Sequence, residues 1–304
     1  MTNRLLAADN KAAGGDLRKR KGKRMKTRND YPCFVDISAD EHHQDARDGK
    51  FLSSHLLGDF RKCPLTYHQK LTGVIPPQDS AAYWIGRAVH TLVCEGRAAF
   101  DREFLVSDGP LNPKTGEPYG KLTKAYKEWF SAQRLIPVST IDFGFMVKLQ
   151  SAVYLHPVAT RLLQDGWAEG TVRTQMAGEP VQIRIDYFNP NFTDEMNGER
   201  GTIVDLKTCD NIDYFESDAR RYGYIHQLAF YQETLALACG TKFPAHIIAV
   251  EKRAPFRVGV WRIASDALEN ATAANYRAIS RLKECRCQNI WPTGYEETRV
   301  LDEI

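Results

Sequence analysis

The sequence predicts a single α/β (α+β) domain with a central mixed β-sheet flanked by helices. Apolar residues recur at helical spacing through the first half of the chain, whereas from residue 170 onwards apolar and polar residues alternate in short, β-branched segments. One further helical pattern interrupts the strand-like segments, and another follows the last of them. This order is typical of one sheet that is covered by helices.

Helical patterns dominate residues 53–165, whereas residues 31–50 are polar and predict a loop. The first helix is predicted to begin near Ser53, whose hydroxyl can cap it. The other segments with apolar residues on one helical face are 67–71, 81–96, 121–135 and 140–165, the last two separated by Pro137. Residues 109–120 are rich in Gly and Pro and predict an exposed loop.

In the second half of the chain, the spacing of apolar residues changes from helical to alternating. Residues 170–175 and 180–187 alternate around a turn at Gly178 and predict a β-hairpin. The remaining predicted elements are a polar turn over 188–201, strands over 202–208, 246–251 and 256–262, and helices over 217–238 and 266–285.

The formal net charge of +3 comes from one end of the 304-residue chain. Residues 1–28 hold ten Lys and Arg against two acids, so the remaining chain is net acidic. Residues 1–30 are therefore predicted to be a basic, disordered tail, which either attracts nucleic acid or serves as a solubilising leader. No apolar run is long enough to span a bilayer and no secretory signal precedes the domain, so we expect a cytoplasmic protein without membrane contact.

The chain has seven cysteines, an odd number that favours free thiols in a reducing compartment. Cys285 and Cys287 form the one close pair, and the common zinc patterns require two pairs or nearby histidines. Structural cysteines are therefore favoured over a metal site.

Two charged residues interrupt the short apolar strand over 202–208. Asp205 and Lys207 are two residues apart, so their side chains share one face of the strand. Buried charges are costly unless they pair or bind a ligand. Asp186 ends the preceding strand, and two close carboxylates favour a divalent cation such as Mg²⁺. A simple Asp205–Lys207 ion pair at an open strand end is the alternative.

Three further residues lie on predicted helices. Gln227 and Tyr231 are four residues apart and share a helix face, and His90 follows an apolar helical stretch. Helix packing explains Gln227 and Tyr231 equally well, and a lone histidine in this setting is more often a core residue than a ligand.

Taken together, these stretches resemble the PD-(D/E)XK nuclease superfamily. The resemblance is strongest to the RecB-like exonucleases, and among them to the phage and prophage exonuclease VIII (RecE-type) domain. It covers roughly residues 50–295, leaving 296–304 as a C-terminal tail. The matching stretches, in family order, are GRAVHTLVCEG (86–96), IRIDYF (183–188), TIVDLKTC (202–209) and YGYIHQLAFYQETL (222–235).

The resemblance implies a restriction-endonuclease-like core and a role for each matching residue. Asp186, Asp205, His90 and the backbone carbonyl of Leu206 would bind Mg²⁺, for which Mn²⁺ would substitute. Lys207 would be the catalytic lysine. Gln227 and Tyr231 would orient the phosphate or the lysine. Glu169 and Glu95 are expected to be surface charges.

Some RecB-like nucleases hold an iron–sulfur cluster with one early and three late cysteines. Cys63 matches the early position, but Cys285 and Cys287 lack a third late partner, so no cluster is expected.

The implied activity is Mg²⁺-dependent degradation of linear double-stranded DNA from an end, in the 5′→3′ direction, in phage-type recombination or repair. The resemblance also implies a ring-shaped homo-oligomer and a single-strand annealing partner. A PD-(D/E)XK endonuclease, of restriction or structure-specific type, and a non-catalytic DNA-binding protein with a degenerate nuclease fold are the alternatives. Candidate DNA contacts are Lys121, Lys124, Lys127, Arg220 and Arg221, for which a solvated helix face is an equally good explanation.

Overall fold

A six-stranded mixed sheet forms the centre of the computed structural model, which describes residues 24–76, 81–194 and 197–300. Over these residues the strands are β1 (Phe34–Val35), β2 (Phe104–Val106), β3 (Ile136–Val138), β4 (Trp167–Met176), β5 (Glu179–Thr193), β6 (Arg200–Cys209), β7 (Ala245–Glu251) and β8 (Val258–Arg262). The main sheet has the order β1-β4-β5-β6-β7-β8, and β2 and β3 form a separate parallel pair. All neighbours in the main sheet are antiparallel except β6 and β7, which run parallel.

Helices surround this sheet. Those of the described residues are α1 (Ala39–Arg47), α2 (Ser54–Lys62), α3 (Pro64–Leu71), α4 (Ala81–His90), α5 (Arg97–Glu103), α6 (Lys124–Ser131), α7 (Thr140–Leu155), α8 (Pro157–Leu162), α9 (Phe215–Tyr222), α10 (Tyr224–Cys239) and α11 (Ser265–Gln288). A π-helical turn, Thr91–Glu95, continues α4, and 3₁₀ turns form at Arg28–Asp30 and Ile212–Tyr214. None of the helices in the described ranges is long and apolar enough to cross a membrane.

The sheet is buried on both faces. Alternate residues of β6 belong to different apolar cores: Ile203 packs in the first core, and Val204 packs in the second. Ile247 and Ile248 of β7 divide in the same way. Helices α2, α10 and α11 supply the first core, and α4, α7 and α8 supply the second. The predicted class, a mixed sheet flanked by helices, is therefore confirmed.

Two predicted irregular segments contain regular structure. Residues 31–50, predicted to be a loop, hold β1 and α1, because α1 turns polar residues inward: His42 and Asp45 are buried beside Ala46. The polar turn predicted over 188–201 is shorter than expected because β5 runs on to Thr193. Buried Asn189 stabilises this extension, since its side-chain amide donates hydrogen bonds to backbone carbonyls at the end of α8 and beyond.

The helix predicted over 217–238 is two helices. Gly223 has φ +77° and separates α9 from α10. Pro137, predicted to separate two helices, lies within the short strand β3.

Most of the predicted basic tail lies outside the described residues. Its last part, from Arg24 onwards, contacts the domain: the backbone N–H of Lys26 donates to Asn191 Oδ1 over 2.7 Å. At the other end, the carboxylate of Glu296 accepts hydrogen bonds from Thr293 and Gly294.

Candidate active site

The candidate site lies where β5 and β6 stop pairing. The ladder between these strands begins at the pair Tyr187–Val204, and Asp186 and Asp205 are the next residues beyond it. Lys207 follows two positions further along β6, where β6 still pairs with β7 but no longer with β5. The two predicted carboxylates and the predicted lysine therefore meet at one opening in the sheet.

The side chain of Asp186 points into this opening because β5 locally reverses which of its side chains face each side of the sheet. Ile185 and Phe188 pack in the same apolar core although they are three residues apart, so β5 reverses its faces between them. On β4, Glu169 lies opposite Asp186 in the register and has φ +56°, an uncommon conformation for a residue with a side chain. As a result Oδ2 of Asp186 accepts a hydrogen bond from the backbone N–H of Leu206 over 2.8 Å.

Asp205 and Lys207 form a buried charge pair. Lys207 Nζ lies 2.6 Å from Asp205 Oδ2, and the side chain of Asp205 is only 1% exposed. Neither carboxylate oxygen of Asp205 accepts a well-aligned hydrogen bond, so the contact is one of charge. Burial raises the pKa of Asp205 to about 6, against the opposing effect of the lysine. Burial also acts to lower the pKa of Lys207, but the charges of Asp205 and Asp186 outweigh it and hold that pKa above its ordinary value.

His90 reaches Asp186 from the second-core side of the sheet. It is the last residue of α4, and its Nδ1 lies 3.3 Å from Asp186 Oδ2. The π-helical turn that follows is a rare distortion that often occurs at functional sites. His90 therefore lies beside a predicted site carboxylate and not in the apolar core, and its side chain is 24% exposed.

Gln227 and Tyr231 close the site from α10. The side-chain amide of Gln227 donates to the hydroxyl of Tyr231 over 3.0 Å. Burial, followed by the charges of Asp186 and Asp205, raises the pKa of Tyr231. Tyr224, which the sequence did not single out, lies at the start of the same helix with its ring centroid 4.9 Å from Lys207 Nζ.

Glu169 is not a surface charge. It is partly buried, and its carboxylate pairs with the guanidinium of Arg184. Burial raises the pKa of Glu169 to about 7, and the charge of Asp186 acts in the same direction. Glu95, in the π-helical turn, is exposed, as the sequence predicts, although the surrounding protein raises its pKa. The only sequence signal for Glu169 was its position opposite Asp186, and that depends on the register of the hairpin.

His55, at the first turn of α2, also borders the site. The surrounding protein lowers the pKa of its imidazole although the ring is exposed, and the charge of Lys207 adds to this effect.

The donor chemistry of these residues fits a divalent cation. Oδ1 of the buried Asp205 carboxylate has no hydrogen-bond partner and Oδ2 meets only the ammonium of Lys207, and a hard cation satisfies such oxygens well. Within the described ranges no three His, Cys, Asp or Glu side chains already converge as a ligand set. Instead Asp186 contacts His90 and Asp205 contacts Lys207, so a cation would replace two existing contacts.

The cysteines named in the sequence stand apart from this site. Cys63 Sγ accepts a hydrogen bond from the backbone N–H of Thr66 and caps α3. Cys285 is buried in α11 and Cys287 is exposed, and both are free thiols. Buried Cys209, just after Lys207, packs in the first core.

Comparison with known proteins bears on the fold and the family. Among solved structures, the fold is similar to the crystal structure of a "putative exonuclease" from Eubacterium rectale, with a TM-score of 0.61 and 15% identity over 89% of this chain and 96% of that one. No curated protein matches by sequence. A family model described as a PDDEXK-like domain of unknown function matches residues 53–303. With that match over most of its length and Asp186, Asp205 and Lys207 at the opening of the sheet, the chain belongs to the family of PDDEXK-like domains.

Proposed function

We propose that the protein is a Mg²⁺-dependent exodeoxyribonuclease that degrades linear double-stranded DNA from an end. The observation that carries this proposal is the meeting of Asp186, Asp205 and Lys207 where β5 and β6 separate. His90, Gln227 and Tyr231 surround the same point.

The residues of the site divide into ligands and positioning groups. Asp186 and Asp205 would hold the cation, together with His90 and the carbonyl of Leu206. A bound Mg²⁺ supplies positive charge to the scissile phosphate and lowers the pKa of water. Lys207, kept protonated by the neighbouring carboxylates, offers its ammonium group to a phosphate oxygen. The Gln227–Tyr231 hydrogen bond fixes the side of the site formed by α10.

The finer features of the proposal rest on resemblance. The similar Eubacterium rectale structure is described as a "putative exonuclease", and the motif order resembles RecE-type domains. From these we propose 5′→3′ polarity, a role in phage-type recombination or repair in the cytoplasm, a ring-shaped oligomer and a single-strand annealing partner. A ring would let local basic groups face DNA although the body of the chain is net acidic.

The candidate basic residues for such a channel are exposed. Lys121 lies 3.8 Å from Asp142 and Lys124 lies 3.7 Å from Glu128, so these two charges are partly balanced within the chain. Lys127, Arg220 and Arg221 are exposed as well. Arg220 and Arg221 lie in the last turn of α9, next to the start of α10.

Digestion of linear duplexes labelled at either the 5′ or the 3′ end, with Mg²⁺ or with EDTA, tests the proposal. We expect loss of the 5′ label first, only with Mg²⁺, and no attack on covalently closed circles. Lys207→Met should abolish digestion. Lys252→Met is the matched control, because Lys252 forms a similar contact of 2.8 Å with Asp210 at the surface. Equal cleavage of circles would favour the endonuclease, and unchanged digestion by Lys207→Met would overturn the catalytic assignment.

Metal binding has a readout that does not depend on cleavage. Titration with Mg²⁺ or Mn²⁺ should raise the melting temperature of the wild-type protein, because a ligand that binds only the folded state stabilises it. Asp205→Asn should remove this response. If neither ion shifts the melting temperature and neither supports digestion, the degenerate DNA-binding fold becomes the better description.

A further inference from the structure

The junction between α9 and α10 has features that the proposed cleavage chemistry does not use. It consists of Arg220, Arg221, Tyr222, Gly223 and Tyr224, and the side chain of Arg61 from α2 packs against it. We call this set, with Arg61, the junction surface. The left-handed conformation of Gly223 turns the chain sharply, so tyrosines on both sides of the turn project from one place.

The rings of Tyr224 and Tyr222 form a row that leads from Lys207 to the protein surface. The ring centroid of Tyr224 lies 4.9 Å from Lys207 Nζ and 5.8 Å from the ring centroid of Tyr222, at an interplanar angle of 31°. Tyr222 is 51% exposed, and the guanidinium of Arg221 lies 5.5 Å from its ring centroid. An exposed aromatic ring flanked by a cation is a common platform for an unpaired base.

Arg61 is a partly buried cation without a counter-ion. No carboxylate of the described residues pairs with it, whereas every other arginine there is either exposed or ion-paired. Its Nη1 donates to Oδ1 of Asn275, which is 1% exposed, and Asn275 in turn donates to the carbonyl of His226. The guanidinium is thus held in a fixed position at the turn.

The space around Gly223 depends on this arrangement. A Cβ atom at Gly223 would lie 3.3 Å from Nη2 of Arg61, so the absence of a side chain makes room for the guanidinium. Burying a charged group without a partner is costly, and an anionic ligand at this point would offset that cost. Arginine is well suited to bind phosphate because its planar group donates two parallel hydrogen bonds.

We propose that the junction surface binds the unpaired nucleotide next to the one whose phosphate is cleaved. Tyr222 stacks on the base, and Arg61 and Arg221 bind the phosphate. The inference rests on the proposed function, since it takes the neighbouring Lys207 site to be where the strand is cut. It implies that the end of the duplex is opened before cleavage and that one strand leaves the site over Tyr222.

Binding without cleavage tests the stacking role. Fluorescence anisotropy with a labelled oligothymidine, in EDTA, should show about 5- to 150-fold weaker binding for Tyr222→Ala, the range that loss of one stacked base gives. Tyr222→Phe should bind like wild type. Tyr295→Ala is the matched control, because Tyr295 is also exposed and has the guanidinium of Arg299 4.1 Å from its ring centroid. Equal effects of Tyr222→Ala and Tyr295→Ala, or no effect of either, would overturn the inference.

The salt dependence of binding tests the arginines. Each phosphate contact that is lost lowers the slope of log affinity against log salt by about 0.7 on a single strand. We expect this reduction for Arg61→Gln and for Arg221→Gln, and none for Arg277→Gln, an exposed arginine on α11. The two arginines would have a purely structural role if the salt slope were unchanged in both variants. Arg61→Gln would then lower only the melting temperature.

The substrate also separates the outcomes. A fully paired, blunt hairpin that binds as tightly as the single strand, and with the same sensitivity to Tyr222→Ala, would contradict an unpaired base on Tyr222. If the protein cuts no DNA but its binding depends on Tyr222, nucleotide binding at the junction surface is supported and the nuclease activity is refuted. If Tyr222→Ala digests DNA actively with unchanged KM and unchanged binding, the nuclease activity is supported and the role of the junction surface is refuted.

Discussion

Oδ2 of Asp205 and Nζ of Lys207, two residues apart on one strand, lie 2.6 Å from each other in a buried site. The pair sets the electrostatics of the opening between β5 and β6. Each group keeps the other charged against the cost of burial.

A double-mutant cycle on Asp205 and Lys207 should show strong coupling. Breaking a buried ion pair by removing one partner leaves an uncompensated charge and costs about 3–5 kcal/mol at full burial. We expect Asp205→Asn and Lys207→Met each to lower the free energy of unfolding, and the double variant to be more stable than the sum of the two effects predicts. Urea denaturation in EDTA measures this, and additive effects would contradict a buried pair. All three variants should be inactive.

The hydroxyl of Tyr231 should matter for turnover more than for stability. Tyr231→Phe removes the acceptor of the Gln227 amide and leaves that side chain free to turn. We expect roughly a tenfold lower kcat with a nearly unchanged KM, as for the loss of one positioning hydrogen bond. Tyr276→Phe is the control, because its hydroxyl donates to Glu233 of the same helix, away from the site. A kcat reduced equally by both substitutions would point to a general effect on α10.

Acid should destabilise the protein in part through His246. Burial lowers the pKa of this imidazole to about 4, from an ordinary value of 6.5. Below pH 6.5 the unfolded chain therefore binds a proton that the folded protein does not, and stability falls as the pH drops towards 4. The slope from this one group is about 1.4 kcal/mol per pH unit. His246→Asn should flatten the dependence measured by urea denaturation between pH 7 and pH 4.5, and parallel curves would contradict this.

Gly166 should not tolerate a side chain. A Cβ at this position would lie 2.3 Å from the backbone carbonyl oxygen of Phe188, which cannot move without disturbing β5. We expect Gly166→Ala to destabilise the protein by roughly 1–3 kcal/mol or more, as overpacking does. Gly144→Ala, in α7 with no atom within 4 Å of its Cβ, should instead stabilise it by about 0.5–1 kcal/mol. Melting temperatures of the two variants that shift in the same direction would refute the contrast.

Local patterns predicted the elements around the site well. The hairpin of β4 and β5, the strand with Asp205 and Lys207, and the four-residue spacing of Gln227 and Tyr231 depend on nearest neighbours and on the periodicity of one helix or strand. The meeting of Asp186 with Asp205 also followed, because these residues lie on consecutive strands.

The features that the sequence did not predict depend on contacts distant along the chain. Helix α1 buries polar groups that hydrogen-bond elsewhere: the carbonyl of His42 accepts from Gln182, and Asp45 pairs with Arg173. No hydrophobic periodicity marks such a helix. Glu169 likewise had no local signal, since its burial depends on Arg184 of the next strand.

The single parallel pairing of the main sheet, β6 with β7, has a consequence for the order of synthesis. Strands β4, β5 and β6 are joined by short turns and need only local contacts, so this meander can form as soon as residue 209 has left the ribosome. Helix α10 and β7 follow later, and β7 can pair only after the whole crossover has been made. We therefore expect a nascent chain to carry Asp186, Asp205 and Lys207 together while Gln227 and Tyr231 are still missing, so that the site is completed only after α10 has been made.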